Sequence, residues 1–389
     1  MVAETKRNWT ISSSNLIRTW LNRLGPFIGL LIVIGIFVLV IESPGRYLST
    51  TNLRVILAQT VIVAIGAIGM TVIIISGGID LSVGSSIALS GVVTALTINS
   101  GLSPVVALTL GVLAGGLVGV MNGLVITGFA FYVLYFALVG VVDGLLFRAG
   151  FKLLPFLITV ILLALPWLVA FLVRRFAGRE LPRLKVVPFI ATLGMLGVAR
   201  GTAKWAASEQ TVNVPPTWIN QMLVTFPNPS WLLVSAGVWI AIVLAIVAAL
   251  MLRRTVLGRR IFALGSNEAA ARACGIATDR LKIYVYGLAG LLFGLAGVMQ
   301  MSRLRQGDPT VAAGLELDII AAVVIGGGSL SGGEGSILGS MIGALIMAFL
   351  RNGCQQVGWP NYIQEIIIGA LIVFAVAIDR WRSSRLATA

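Results

Sequence analysis

Residues 55–79 contain no charged side chain, and residues 81–147 contain only Asp143. One helical crossing of a bilayer needs about 20 predominantly apolar residues, so runs of this length point to a chain that crosses a membrane many times. The overall balance agrees, with 58% hydrophobic and 11% charged residues over 389 positions. A soluble chain of that size needs far more charge to face water.

The net charge of +14 invites a nucleic-acid reading, but the placement of the charges argues against it. Nineteen of the 28 Lys and Arg fall in four segments. The first holds Lys6, Arg7, Arg18 and Arg23, and the second Arg174, Arg175, Arg179, Arg183 and Lys185. The third holds Arg253, Arg254, Arg259, Arg260, Arg272, Arg280 and Lys282, and the last Arg380, Arg382 and Arg385. Basic clusters that flank apolar spans mark the cytoplasmic side of a membrane protein.

Twelve spans are expected, near 25–41, 55–75, 81–98, 104–121, 124–147, 153–173, 186–201, 231–252, 283–301, 317–328, 337–350 and 362–378. Starting from a cytoplasmic N-terminus, that number returns every basic cluster to the cytoplasm. The first run is too long for a signal-peptide core and lacks a small-x-small cleavage site, so it reads as a retained helix. The expected organisation is an N-tail over 1–24, a membrane domain over 25–379 and a C-tail over 380–389, with both termini cytoplasmic.

Glycine, 45 in all, is the main punctuation. Gly111, Gly115 and Gly119, and Gly290 with Gly294, recur at a spacing that lets helix backbones approach closely where lipid provides no hydrophobic drive. A faint repeat matches Gly77-Gly78-Ile79-Asp80-Leu81-Ser82 with Gly326-Gly327-Gly328-Ser329-Leu330-Ser331. Duplicated glycine-broken segments are the sequence sign of discontinuous helices beside a translocation path. The span at 317–328 is short enough to be re-entrant.

The polar segment 253–282 is the most informative. Asn267 is placed to cap a short Ala-rich helix beginning at Glu268, which Gly275 would close. Such a helix is too polar to span and too short to fold alone, so it needs a partner surface or must lie on the inner face of the bundle. The chain has no His and only Cys274 and Cys354, which excludes a His-based metal site, a histidine relay and a disulfide framework. No phosphate loop of the form Gly-x4-Gly-Lys-Ser/Thr occurs.

Taken together, Gln59 with Gly69-Met70-Thr71, the run from Gly77 to Ser85, Asn122-Gly123, Pro188-Phe189-Ile190 with Thr192-Leu193-Gly194, the 258–276 loop, Pro309, Glu316-Leu317, the 321–327 run and Ser329-Leu330 resemble the permeases of ABC importers for ribose, xylose, galactose and related sugars. The resemblance implies an all-α polytopic bundle of about ten family helices, plus two inserted ones in 124–184, a segment with no counterpart in the family pattern. It implies a homodimer in the cell membrane, a separate cytoplasmic ATPase that binds ATP and Mg, and an extracytoplasmic sugar-binding protein. By the same resemblance Gly265, Asn267, Glu268, Ala269, Ala270 and Gly275 belong to the coupling helix that seats in the ATPase. This chain itself holds no cofactor and is not an enzyme.

Gln59, Asp80, Ser82, Ser85, Asn122, Ser329 and Ser331 are the candidates for the translocation path. For Asp80 the stronger reading is a cap on the helix that follows, and Gln59 and Asn122 would equally serve to bridge helices. Asp143 is expected to pair with Arg148, and Glu316 and Asp318 suit the start of a short helix. The two inserted spans keep the parity downstream, placing Arg148 and Lys152 outside and Arg174 and Arg175 inside. The rival readings are an ABC permease for nucleosides or branched-chain amino acids, and an ion-coupled carrier. The carrier would show paired intramembrane acids, and none stands out in the sequence.

Overall fold

In hydrocarbon each backbone N–H and C=O must be bonded within its own segment, and this chain meets the demand with helices that carry their own caps. The computed structural model describes residues 13–129 and 185–387, so the expectations for 130–184, including the Asp143–Arg148 pair and both inserted spans beyond Phe129, lie outside the described residues. The helices are α1 (Ser13–Val40), the short α2 (Pro44–Tyr47), α3 (Thr50–Ile75), α4 (Val83–Asn99), α5 (Pro104–Ile126) and α6 (Pro188–Ala206). They continue with α7 (Ala236–Arg254), α8 (Val256–Ser266), α9 (Glu268–Ala273), α10 (Thr278–Leu304), α11 (Leu315–Ile325), α12 (Ile337–Val357) and α13 (Asn361–Ala387). The only sheet among the described residues is a two-residue antiparallel pair, β1 (Val212–Asn213) and β2 (Gln306–Gly307).

Serine side chains at Ser49, Ser103 and Ser336 accept from the backbone N–H three residues on, closing the starts of α3, α5 and α12. Segments 50–75, 104–126, 230–254, 278–304 and 337–357 are long and apolar enough to cross a membrane. Among the described residues, 24–40, 83–99 and 361–374 are shorter apolar helices. One end gathers the segments around Gly77, Gly265 and Gly333, whose backbones touch. The other joins β1 to β2, and there Arg200 Nη1 donates to the Pro309 carbonyl at 3.0 Å.

At the centre, α3 is packed on nearly every side from Thr60 to Ile75. Its sides are covered by α10, α12 and α11, and α5 lies against the far face of α10. The α5–α10 seam is the glycine pattern made physical: a Cβ on Gly115 would meet the Gly294 backbone and the Gly290 carbonyl, and one on Gly119 the Tyr286 carbonyl. The lost side chains let two helix backbones touch, which supplies the van der Waals contact that lipid cannot.

Three sequence expectations change here. Helix α5 continues through Asn122-Gly123 to Ile126, so no new span begins at Leu124, because Gly123 packs against Ile283 rather than breaking the helix. The 317–328 span is not re-entrant: β2, the strand that precedes α11, sits at one end, while the loop after α11 reaches Ile75 and Gly265 at the other. An 11-residue helix and the run of turns at 309–314 before it cover that distance. The two glycine segments end their helices in the same backbone form, one that also closes α5, α9 and α12, and their register is offset by one residue. Gly77 N and Gly78 N donate to Ile74 O and Ile73 O, and Gly327 N and Gly328 N to Val324 O and Val323 O. Both α3 and α11 thus end in the same left-handed motif, with φ of +81° at Gly77 and +90° at Gly327, so Gly77 corresponds to Gly327, not Gly326.

Candidate functional site

Three polar constellations interrupt the apolar bundle, one at each end and one between. At the first end, Asn267 Oδ1 accepts from Ala270 N at 2.9 Å and opens α9. The helix ends at Cys274, followed by Gly275 at φ +83°. Ala269, Ala270 and Gly275 are exposed while Ala271 is buried, so α9 presents one small-residue face outward. Glu268 receives Lys282 Nζ at 2.7 Å and Arg272 Nη2 at 3.1 Å, and Lys185 Nζ meets Asp279 at 2.7 Å. Partial burial works against ionisation of Glu268, but the Lys282 ammonium, then Arg272 and Lys185, outweigh it and hold the carboxyl below its usual range.

Besides these side-chain ion pairs, backbone contacts join the root of this short helix to the bundle. Gly265, at the end of α8, lies against the Ile75 carbonyl and the Gly333 amide, which are themselves bonded at 2.9 Å. Gly332 in turn packs on Gly77 and the Gly265 carbonyl. The end of α3 and the loop after α11 therefore meet at the root of α9. A cleft of about 220 Å³ opens there, lined by Ser76, Gly77, Gly265, Asn267, Lys282 and Ser331 among others.

Between the ends, Asp80 is fully buried and saturated. Its Oδ1 accepts from Ser82 N at 2.8 Å and Ser82 Oγ at 2.6 Å, and its Oδ2 from Asn122 Nδ2 at 3.1 Å. Asn122 Nδ2 also donates to Ser82 Oγ at 2.9 Å, and Ser85 Oγ to Ser82 O at 2.8 Å. The loop before α4 is fastened further by Tyr286 Oη to Ile79 O at 3.3 Å, and Leu81 N donates to Thr192 Oγ1 at 3.1 Å. Asp80 is a turn-forming acceptor at the head of α4, and Asn122 bolts that turn to α5.

At the opposite end from α9, a cavity of about 420 Å³ is bounded by Gln59 of α3, Asn220, Phe226, and Ser302 and Arg303 of α10. Beside it, Arg351 Nη2 pairs with the buried Asp318 at 2.6 Å.

The seven path candidates do not share a surface. Gln59 borders the outer cavity, and Asp80, Ser82, Ser85 and Asn122 form the closed network. Ser329 and Ser331 shape the turn after α11, where Ser331 N donates to Ser329 Oγ at 3.3 Å. Sequence reasoning missed Arg351, Lys282, Asn220 and Arg303. A signal existed for Arg351, a charge inside an apolar helix that requires an acid nearby. None existed for Asn220, whose partners are brought by the fold.

The long apolar helices fit a protein that crosses a membrane several times. The sequence profile described as "Branched-chain amino acid transport system / permease component" matches residues 52–147 and 128–376, and the chain belongs to that permease family. It is 35% identical to the ribose import permease protein of Escherichia coli K12 over 362 residues, 93% of this chain and 95% of the relative. The Bacillus subtilis ribose import permease protein is 34% identical, covering 94% of each chain. The xylose transport system permease protein of Escherichia coli K12 is 34% identical over 356 residues, 87% and 86% of the two chains. No solved structure matches. The chain is thus a multi-pass membrane transporter subunit and not an enzyme.

Proposed function

We propose that this chain is the membrane-spanning subunit of an ATP-driven importer for a pentose or hexose, working as a homodimer in the cell membrane. A separate ATPase seats on the small-residue face of α9, and an extracytoplasmic binding protein delivers the sugar. The observation that carries the reading is the convergence of Gly265, Ile75 and Gly333 at the root of α9. A push on α9 reaches the end of α3 and the loop after α11 through touching backbones at Gly265, as a lever between packed elements requires. The basic residues around α9 put this end, with both termini, in the cytoplasm. The relatives named for ribose and xylose support the sugar class.

The family's description supports a second reading, a branched-chain amino acid as cargo. Proteoliposomes holding this chain, its ATPase and its binding protein decide between them. Uptake of ribose or xylose that needs ATP is the expected result. Uptake of leucine alone would establish the second reading, and sugar uptake by this chain without an ATPase would refute both. The ATPase should co-purify with the wild type and be lost from Ala270→Glu, in which a long charged side chain occupies the exposed face of α9. Full co-purification of that variant would remove α9 from the coupling role.

A further inference from the structure

The outer cavity is walled by hydrogen-bond donors that the protein leaves unused. Asn220 is 6% exposed, and its Oδ1 accepts from Thr217 N at 2.8 Å and Thr217 Oγ1 at 2.7 Å. A backbone N–H can only donate, so the oxygen must face Thr217 and the NH2 must face the other way. That Nδ2 is buried without a partner among the described residues. A buried donor left unpaired costs about 1–3 kcal/mol, so a ligand acceptor reaching it would recover that cost. Gln59, half-buried across the cavity, makes no side-chain hydrogen bond among the described residues, and no acid lies within ion-pair distance of the Arg303 guanidinium there. Ser302, by contrast, is spent on the Ile219 carbonyl at 2.6 Å.

An aromatic ring completes the wall: Phe226 is 63% exposed at the mouth, with the Arg54 guanidinium 5.6 Å from its ring centre. Amide and guanidinium donors on one side and an apolar ring on the other suit a ligand with a rim of hydroxyl oxygens and a C–H face. The volume of about 420 Å³ lies within the range of small-ligand sites, roughly 300–1,000 Å³. We infer that this cavity, formed by Gln59, Asn220, Phe226 and Arg303, receives the neutral monosaccharide as it leaves the binding protein. The inference rests on the sugar-importer reading and adds the place where the cargo first touches this chain. From Thr60 to Ile75 the α3 helix beyond it is closed by packing, so the cavity is a terminus in this conformation, separated from the cleft beside α9.

The test uses the full complex in proteoliposomes and reads sugar taken up per ATP hydrolysed. Asn220→Asp keeps the acceptor that Thr217 requires and replaces the NH2 donor with a carboxylate oxygen that can only accept; Gln59→Leu deletes the second amide at similar volume. Each should lower the uptake ratio about three- to tenfold, the effect of one hydrogen bond to a neutral group. An unchanged ratio in both variants overturns the site while leaving the sugar reading intact; a wild-type complex that carries no sugar overturns the reading and the site with it. Should either variant fail to accumulate, Gln59→Cys in a chain lacking Cys274 and Cys354 supplies an independent measurement. Millimolar xylose should slow its modification by a membrane-impermeant thiol reagent, and no protection overturns the site. Tighter protection by a sugar acid than by the neutral sugar would overturn the neutral-ligand assignment.

Discussion

Replacing Gly265 by alanine adds one methyl group at the point where three backbones meet. The new Cβ would occupy the space of the Ile75 carbonyl oxygen and the Gly333 amide nitrogen, neither of which is the free end of a side chain. Overpacking of this kind costs about 1–3 kcal/mol. The hydrogen bond between those two atoms, 2.9 Å long, is the contact pried apart, and stranding its partners costs about 1–3 kcal/mol more. Alanine returns roughly 1 kcal/mol of helix propensity at this position, so the net loss is about 1–5 kcal/mol. Gly35→Ala is the matched control, because a Cβ on Gly35 of α1 meets nothing within 4 Å; it should be neutral or more stable by up to about 1 kcal/mol. Thermal unfolding of the two purified variants, with uptake by the assembled importer, measures both consequences. Gly265→Ala should unfold at lower temperature than Gly35→Ala and should transport less per ATP hydrolysed. Equal unfolding and equal transport would show that α9 is not rigidly joined to α3 and the loop after α11, and the lever argument would fall.

Asp80→Asn keeps an acceptor for Ser82 and should cost about 1 kcal/mol or less, whereas Asp80→Ala strands the Asn122 amide and should cost about 1–3 kcal/mol; thermal unfolding that ranks them the other way would contradict the turn-and-bolt role. Arg351→Leu leaves Asp318, 1% exposed, as a buried unpaired carboxyl and should lose about 3–5 kcal/mol, much of it recovered in the Asp318→Leu, Arg351→Leu double variant; chemical or thermal unfolding of the three proteins gives the cycle, and additive losses would mean the pair does not act as one. The Glu268 carboxyl has a depressed folded-state pKa, so its ion pairs contribute above its unfolded value of 4.5 and fade as pH falls through the lower folded value. Hydrogen exchange in α9 should therefore stay constant from neutral pH down to about 5, after correction for the intrinsic rate, and rise only in more acid solution; loss of protection already near pH 6 would exclude this carboxyl as the fastening.

The elements that were legible in advance are those whose physics is local. A helix in lipid must bond its own backbone, so its length, its serine caps and the glycine that ends it are written in consecutive residues. The described apolar helices, the Asn267 cap and the left-handed Gly275 are all of this kind, and so is the Gly-x3-Gly spacing of α5. The glycine turns were visible too, but their register was not. Poly-glycine matches itself equally well one residue to either side, and only the paired hydrogen bonds at Gly77 and Gly327 select the alignment.

What the sequence could not disclose is which side of each helix faces protein and which faces lipid. In water an amphipathic stripe marks the buried face, but in a bilayer both surroundings are apolar and the stripe vanishes. Helix α3 is the clear case, apolar throughout and buried on nearly every side from Thr60 to Ile75. Without that marker, polar residues far apart in the chain cannot be paired by inspection: Asp80 with Asn122, Asp318 with Arg351, or Gln59 with Asn220 and Arg303. The sequence alone determined that the chain crosses the membrane repeatedly and where its polar helix begins. Tertiary packing decided that Asp80 closes a turn instead of lining a path, that the short helix α11 completes a crossing, and that the unspent donors of three separate segments face one cavity.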